Sequence, residues 1–369
     1  MSDTLWLWTV VGVGVLALVL TVVLVRGRRN ATTGSSAGRR RRRPHRNEFR
    51  PPDAETAIPL KRAAVIVNPT KFADLTDVRS QIDLVCRAEG FGEPIWLETT
   101  AADPGTGQAR QAVAEGAVLV CALGGDGTVR SVAAGLVGTE TPMGLLPGGT
   151  GNLLARNLDL PVDSITRALV VALTGKNQRI DVGRLTVDRS GSPAAPSVPE
   201  EHLFLVMAGM GFDAEIMAGA PERLKAQVGP AAYVFSGLGK LIGRTFKVTL
   251  RLGQDPILSR RTRTVVIGNC GRLLGGLTLM PDAKVDDGLL DVITISPRGP
   301  IGWTAVAGKI ITRSRRGHAL VDHHTAAEVA VRAERSQEVQ VDGDTIGPAR
   351  GISARVEHLA LVVRVGQKA

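Results

Sequence analysis

The residues best suited to chemistry in this 369-residue chain stand in a GGDGT run at positions 124–128. Glycines let a ligand approach the backbone closely, and the free N–H groups and dipole of a helix N-terminus favour an anion. The run lies between an apolar stretch, residues 117–123, and a segment with helical spacing, residues 129–137. We therefore expect a phosphate-binding turn between a buried strand and a helix, with the Asp126 carboxylate beside the phosphate on a water or Mg²⁺.

A second glycine turn, PGGTGN at residues 147–152, follows another apolar stretch at residues 143–146. Ligand-binding turns of open α/β sheets come directly after the carboxyl ends of the strands. Two such turns therefore predict a single crevice for a nucleotide. The chain contains no GxxxxGK[ST] sequence, so a P-loop site is excluded.

Four other segments carry groups that could serve catalysis, and each also allows a purely structural interpretation. Asn68-Pro69 at a predicted strand end either turns the chain across a nucleotide or forms an ordinary proline turn. Asp181 either orders water or a metal ion or forms a hinge salt bridge. The DDGL sequence at residues 286–289 offers oxygen ligands or a β-turn, and the DGD sequence at residues 342–344 offers catalytic carboxylates or a hairpin turn.

The spacing of cysteine and histidine gives no sign of a metal centre. The three cysteines are scattered, without the spacing of metal ligands or of a disulfide framework, which favours a reducing, cytoplasmic environment. His318, His323 and His324 have no matching Cys or Glu ligand pattern, so we interpret them as surface or hydrogen-bonded side chains.

Apolar strands and helical segments alternate in the first part of the folded chain, which predicts a doubly wound α/β domain over residues 62–183. Beyond Asp181 the pattern changes to short strands with few helices between them, among them residues 328–331 and 339–341. This change predicts a β-rich second domain over residues 184–369, whose last segment can return to the first domain.

Residues 5–25 are apolar apart from two threonines, and a helix of that length spans roughly 30 Å, the hydrocarbon thickness of a bilayer. Trp6 and Trp8 stand at one end of the stretch, and Arg26 begins a basic run at the other. A cleaved signal peptide is the alternative, but Asp3 at the start and the arginines at the end argue against it. We expect one transmembrane helix in the cell membrane, with the N-terminus outside and the rest of the chain in the cytoplasm.

The net charge of +10 is concentrated in a short basic stretch. Residues 26–50 carry +9 and residues 1–25 carry −1, which leaves about +2 for residues 51–369. Residues 26–60 have no hydrophobic periodicity, which predicts a basic disordered linker. We expect its arginines to contact anionic lipid headgroups, whereas the nearly neutral remainder argues against a nucleic-acid partner.

The order of these segments resembles the diacylglycerol kinase catalytic family, which includes bacterial lipid kinases and sphingoid-base kinases. The resemblance extends from Arg62 to the C-terminus and rests on NP at 68–69, GGDGT at 124–128, PGGTGNLLAR at 147–156, DVG at 181–183, GMGFDA at 209–214, DDGLLD at 286–291 and DGD at 342–344. It implies an ATP-dependent lipid kinase with a nucleotide cleft between an α/β domain and a β-sandwich.

The resemblance also implies roles for individual positions. ATP would be bound by Asn68, Pro69, Thr70, Lys71, Phe72, one of Thr99 and Thr100, Gly124, Gly125, Asp126, Gly127, Thr128, Val129, Arg130, Gly149, Thr150 and Asn152. A structural Mg²⁺ would be bound by Lys284, Asp287 and Leu289, partly through backbone carbonyls, near a water or metal network at Asp181. A catalytic Mg²⁺ would be held through water by Asp126.

The general base of the family is the Glu of an Asp-Gly-Glu motif, and the corresponding residue here is Asp344, which Asp342 would orient. Aspartate keeps the carboxylate and shortens its reach by one methylene. The implied reaction is phosphoryl transfer from ATP to a lipid hydroxyl, most simply diacylglycerol to phosphatidic acid, with Mg²⁺ as cofactor.

Three alternatives stay open from the sequence. A sphingoid base or another lipid alcohol is the same chemistry with a different acceptor. NAD kinases share a GGDGT-type turn, but a soluble dinucleotide does not require a membrane anchor. A catalytically inactive, nucleotide-responsive membrane tether is the alternative of a different class. A homodimer is compatible with each interpretation.

Overall fold

The computed structural model describes residues 60–189, 199–211, 245–272, 278–296 and 321–367. The predicted transmembrane helix, residues 5–25, and nearly all of the predicted linker, residues 26–60, lie outside these ranges. Within them, no helix is both long enough and apolar enough to cross a bilayer.

Helices are confined to the first part of the described chain, and strands extend through all of it. The helices are α1 (Thr76–Ala88), α2 (Thr106–Ala114), α3 (Asp126–Leu136), α4 (Leu153–Asn157) and α5 (Ile165–Thr174), and a 3-10 turn spans Pro69–Lys71. The strands are β1 (Ala63–Val67), β2 (Ile95–Glu98), β3 (Leu119–Gly124), β4 (Met143–Pro147), β5 (Lys176–Asp188), β6 (Glu200–Phe204), β7 (Met207–Met210), β8 (Phe246–Leu252), β9 (Leu258–Thr262), β10 (Thr264–Gly268), β11 (Leu290–Ile295), β12 (Val321–Ala326), β13 (Glu328–Val341) and β14 (Asp344–Val365).

Four parallel strands form the first half of the sheet, in the order β2-β1-β3-β4. β1 and β3 are buried along their whole length, because helices cover both faces. On one face α1 and α5 pack through Ile82 and Leu169, and on the other α2 and α3 pack through Ala109 and Val132. The predicted α/β domain with parallel strands is confirmed. Because β1, β3 and β4 are parallel, their carboxyl ends lie at one edge of the sheet.

Helix α3 begins at Asp126, three residues before the predicted helix at residues 129–137. Gly125 is its N-cap, and the N–H of Val129 already donates to Gly125 O. Glycine has a low helix propensity, which is why the sequence suggested a separate loop. In the first turn the N–H groups have no intrahelical acceptor, so they remain available to a ligand.

The second half is β-rich, as predicted, and continues the same sheet. From β4 the order among the described strands is β14, β13, β7, β10, β11 and β12. Alternate residues of β8, such as Val248 and Leu250, face a second apolar core that also contains Phe204 and Phe246. This alternation is typical of a sheet with one buried face and one exposed face.

Two strands in this half differ from the prediction, because their polar residues interrupt the apolar pattern from which a strand is predicted. β13 is one strand, although the sequence suggested separate strands at residues 328–331 and 339–341 around an exposed polar segment. β12 was not predicted at all, since it contains Asp322, His323 and His324. β12 is fixed by pairing with β11, and β13 pairs with β14 before and after its polar segment, with an irregularity between Arg332 and Gln337.

The long strands β5 and β14 run through both halves. They pair from Asp188 opposite Gly351 to Lys176 opposite Val365, with an irregularity between Glu357 and Leu361. The end of β14 also lies parallel to β4, with Val363 opposite Met143. The predicted boundary between residues 183 and 184 therefore falls inside β5, and Pro59–Ala369 form one compact unit.

Candidate active site

The two predicted glycine turns lie side by side at the ends of β3 and β4. Gly148 N donates to Gly124 O at 3.0 Å. A Cβ on Gly148 would lie 2.8 Å from the Cα of Gly124, and one on Gly149 would lie 2.7 Å from the Cα of Gly125. Only glycine allows backbones to approach this closely. The structure therefore brings both turns to one place, with the N-terminus of α3 between them.

Asp126 connects the two turns from the first position of α3. Its Oδ1 accepts a hydrogen bond from Leu153 N at 2.6 Å, which caps α4, and its Oδ2 faces Gly151 so closely that a Cβ there would collide with it. Burial raises the pKa of Asp126, the N–H groups of Leu153 and Asn152 lower it in part, and the nearby Asp344 carboxylate raises it further. Because the negative charges of Asp126 and Asp344 repel each other, a divalent cation bound beside them would stabilise both charged carboxylates.

The loop after β1 adds a positive charge to the first glycine turn. Asn68 Oδ1 accepts from the N–H and hydroxyl of Thr70, and Asn68 Nδ2 donates to Thr128 Oγ1 at 3.4 Å. These bonds fix the 3-10 turn against α3. Lys71 then reaches the glycine turn, since a Cβ on Gly125 would lie 4.0 Å from its Cε.

The remaining predicted ATP contacts occupy two kinds of position. Thr99 is buried at the end of β2, where its N–H donates to Val67 O, whereas Thr100 is exposed and its hydroxyl accepts from Asp103 N. The side chains of Phe72 and Val129 pack into the apolar clusters on the two sheet faces. The side chain of Val129 is buried in the core, whereas that of Phe72 is only partly buried.

The second glycine turn is closed by its own side chain. Asn152 has a φ of 47° and forms two hydrogen bonds with Gly149, one from Gly149 N and one to Gly149 O. Thr150 is exposed between them. The turn is thus held in shape without using the N–H groups at the start of α3.

The DGD sequence forms the turn of the β13–β14 hairpin. Asp342 and Gly343 both have positive φ, 48° and 93°, and Val341 pairs with Asp344. Asp-Gly favours a two-residue hairpin turn of this kind. The hairpin interpretation that the sequence left open is therefore correct, and the turn still presents carboxylates to the cleft.

Asp342 is buried and fixes the turn to the link between β6 and β7. Its carboxylate accepts from the N–H groups of Leu205, Val206 and Met207 at 3.1, 2.8 and 3.0 Å. Burial raises the pKa of Asp342 to about 6, although the Arg130 guanidinium and these N–H groups oppose the rise. These contacts hold the hairpin turn that carries Asp344, and the orienting role of Asp342 stays a prediction.

Asp344 lies over the GGDGT turn. A Cβ on Gly127 would lie 3.2 Å from Asp344 Oδ2, so glycine leaves room for this carboxylate. The same oxygen accepts from Arg130 Nη2 at 2.7 Å, and the side chain is 57% exposed. Arg130, predicted to contact ATP, also donates from Nη1 to Val341 O at 2.8 Å. The structure thus places its guanidinium on the hairpin.

Asp181 is fully buried and anchors the loop that precedes β11. Its Oδ2 accepts from Gly288 N at 2.7 Å, and its Oδ1 accepts from Leu359 N at 2.7 Å and lies 2.8 Å from His358 Nδ1. Leu359 has a φ of 51° at the irregularity of β14. Nothing in the sequence points to His358, because this exposed histidine stands far from Asp181 along the chain.

The predicted metal residues Lys284, Asp287 and Leu289 lie in the loop that Asp181 anchors. Asp287 Oδ1 accepts from Leu289 N at 3.1 Å. No group of three His, Cys, Asp or Glu side chains in the described ranges could hold a metal ion. The backbone carbonyls of Lys284 and Leu289 would have to complete the set, and oxygen donors of this class fit Mg²⁺.

The other histidines follow the interpretation made from the sequence where they are described. His323 Nε2 lies 2.6 Å from the buried carboxylate of Asp291, so it is hydrogen-bonded. His318 and the FDA part of the GMGFDA segment, residues 212–214, lie outside the described residues.

Comparison with known proteins bears directly on this site. The diacylglycerol kinase catalytic domain matches residues 62–185, and the YegS C-terminal NAD kinase beta sandwich-like domain matches residues 206–365. A diacylglycerol kinase from Staphylococcus saprophyticus is 29% identical over 302 residues, covering 79% of this chain and 91% of the relative. One from Staphylococcus aureus is 28% identical over 294 residues, covering 77% and 86%.

The fold agrees with these matches. A crystal structure of a diacylglycerol kinase from Bacillus anthracis superimposes with a TM-score of 0.65 at 23% identity, covering 84% of this chain and 99% of that one. The two matched domains follow one another along the chain, and the glycine turns and the DGD hairpin lie within them. The chain therefore belongs to the bacterial diacylglycerol kinase family and is an ATP-dependent lipid kinase, a phosphotransferase.

Proposed function

We propose that this protein transfers the γ-phosphoryl group of ATP to the hydroxyl group of diacylglycerol, which yields phosphatidic acid and ADP. The observation that carries the proposal is the carboxylate of Asp344 over Gly127, at a turn built to hold phosphate. The names of the curated relatives, diacylglycerol kinases, support the choice of acceptor.

The phosphates would lie between the two glycine turns. The N–H groups of the first turn of α3 and the ammonium of Lys71 would bind them, and these groups carry the positive charge that a triphosphate needs. Asp126 would hold Mg²⁺ through water, and the ion when bound would neutralise charge on the phosphate oxygens. Lys284, Asp287 and Leu289 would hold a second ion that fixes their loop.

Asp344 would act as the general base. More than half of its side chain is exposed, so a lipid hydroxyl can reach it. Asp344 takes the hydroxyl proton, the hydroxyl oxygen bonds to the γ-phosphorus, and the bond from that phosphorus to the bridging oxygen breaks. ADP leaves with the electron pair. Asp342, held by three N–H groups, keeps the turn in place during this step.

The test is transfer from labelled ATP, with the purified chain, to dioleoylglycerol in detergent micelles, to sphingosine and to NAD. Dioleoylglycerol should be the best acceptor, and Asp344→Asn should lower kcat by about 10²–10⁴-fold because the amide cannot accept a proton. Asp163→Asn, a surface change at an exposed ion pair, is the control. If the chain prefers sphingosine, sphingosine replaces diacylglycerol as the proposed acceptor. ATP binding without transfer to any acceptor would favour the inactive tether.

We further propose that residues 5–25 span the cell membrane, with the N-terminus outside and the kinase in the cytoplasm, and that the linker arginines contact anionic headgroups. The support is the apolar length of the segment and the basic run that follows it. Protease added outside intact cells should leave the C-terminal unit whole. Its digestion would contradict this topology.

A further inference from the structure

We infer that Arg130 is a positioning residue that holds the base Asp344 against the first glycine turn, rather than a ligand of the ATP phosphates. The inference rests on the role proposed for Asp344. Arg130 stands on α3 one turn after Gly127, and its guanidinium crosses the cleft to the β13–β14 hairpin.

The guanidinium spans the hairpin turn from one side to the other. Nη1 donates to Val341 O at 2.8 Å, and Nη2 donates to Asp344 Oδ2 at 2.7 Å. Nη1 also lies 4.0 Å from Asp342 Oδ2. Arginine presents several donors in a fixed plane, so it can bind the last residue of β13 and the first residue of β14 together, whereas lysine acts as a point charge.

This contact sets the orientation of Asp344. Among the described residues, Arg130 is the partner of the Asp344 carboxylate, which otherwise stands exposed on a two-residue turn. The Arg130 side chain is 20% exposed and that of Asp344 is 57% exposed, so only the guanidinium end of this ion pair is shielded from solvent. Without Arg130 the short aspartate side chain would rotate freely, and its carboxylate would lose its place over Gly127.

Lys71 is the better candidate for a cation that meets the phosphates. It reaches Gly125, and within the described ranges it has no ion-pair partner, whereas the charge of Arg130 is already balanced by Asp344. The two cations therefore predict different kinetic effects. Loss of Lys71 should weaken ATP binding, and loss of Arg130 should slow the transfer step.

The experiment measures kcat, ATP Kd and melting temperature for full-length Arg130→Gln, Arg130→Lys, Lys71→Met and Asp344→Asn, and for the Arg130→Gln/Asp344→Asn double variant. Arg130→Gln should lower kcat by about 10–10²-fold through misplacement of the base, with ATP Kd changed by less than about threefold. Arg130→Lys should not restore kcat. In the Asp344→Asn background, Arg130→Gln should cost less than about twofold, because the coupled partner is already absent.

The outcomes separate the alternatives. A tenfold rise in ATP Kd for Arg130→Gln, or an equal loss of kcat in both backgrounds, would overturn the inference. Turnover of Asp344→Asn alone at the wild-type rate would instead refute the proposed base, and this is measured without any Arg130 variant. If Arg130→Gln does not fold, Arg130→Lys keeps the charge and loses the fork, so the same comparison can be made with it.

Discussion

Replacing Gly125 by alanine separates phosphate binding from folding. A Cβ on Gly125 would lie 3.8 Å from the Cα of Gly149 and 4.0 Å from the Cε of Lys71, which are ordinary van der Waals distances. The backbone of Gly125 is extended, with a φ of −88°, so alanine adopts it without strain. The methyl group would occupy the space between the two turns and Lys71, where we place the phosphates.

The effects on stability nearly cancel. Alanine is a poorer N-cap than glycine, by up to about 1 kcal/mol, and it restricts the unfolded chain, which contributes about 0.4–1 kcal/mol in the other direction. The net change should stay within about 1 kcal/mol, or roughly 2–4 °C in Tm. ATP affinity should fall at least about tenfold, or 1.4 kcal/mol, because the methyl group keeps the phosphates from the N–H groups.

Calorimetric titration with a non-hydrolysable ATP analogue and thermal unfolding would measure both quantities. Gly148→Ala is the contrasting variant, because its Cβ would lie 2.8 Å from Gly124 Cα and should cost about 1–3 kcal/mol of stability. Gly366→Ala, with no atom within 4 Å of its Cβ, is the control. Wild-type ATP affinity in Gly125→Ala would refute the placement of the phosphates, and a Tm loss as large as that of Gly148→Ala would refute the steric reasoning.

Further predictions concern the buried carboxylates. The pKa of Asp342 is about 6 in the folded state and about 3.9 in the unfolded state, so the folded state binds the extra proton between these values. The free energy of unfolding should therefore fall by roughly 3 kcal/mol as the pH rises from about 4 to 6. Urea unfolding should show that Asp342→Asn removes this dependence; a pH dependence unchanged in the variant would contradict it. Asp181→Ala leaves two backbone N–H groups without their acceptor and should cost at least about 3 kcal/mol, whereas His358→Gln, at an exposed side chain, should cost less than about 1 kcal/mol. Asp126→Asn keeps an acceptor for Leu153 N, so Tm should move by a few degrees at most while turnover is lost; a large fall in Tm would make Asp126 mainly structural.

The parts of the site that sequence predicts are those with local causes. Glycine turns after apolar strands, and the Asp-Gly hairpin turn, are determined by residues that are adjacent in the sequence. Their structures follow from the backbone conformations that these residues allow. The predicted start of α3 was three residues too late, also for a local reason. Glycine has a low helix propensity, but the first turn of a helix forms few intrahelical hydrogen bonds, so this propensity matters less there.

The parts that sequence misses depend on contacts between distant residues. Arg130 and Asp344 are 214 positions apart, and Asp181 and His358 are 177 apart, so no pattern links them. β12 is a strand because it pairs with β11, although most of its own residues are polar, and β13 is paired with its neighbours on either side of its polar stretch, as far as Ala333 and again from Gln337. In each case the tertiary environment overrides the local pattern.

The place of β14 beside β4 has a consequence for biosynthesis. During translation the strands β1 to β4 emerge first, yet the neighbour of Met143 on the open side of β4 is Val363, near the end of the chain. Until then β4 is an unpaired edge, and such edges invite pairing with other chains. The nascent protein therefore depends on the segment around Val363 to complete the sheet beside β4. A frameshift or premature stop between β13 and Val363 should leave this edge of β4 unpaired even though both glycine turns have been made.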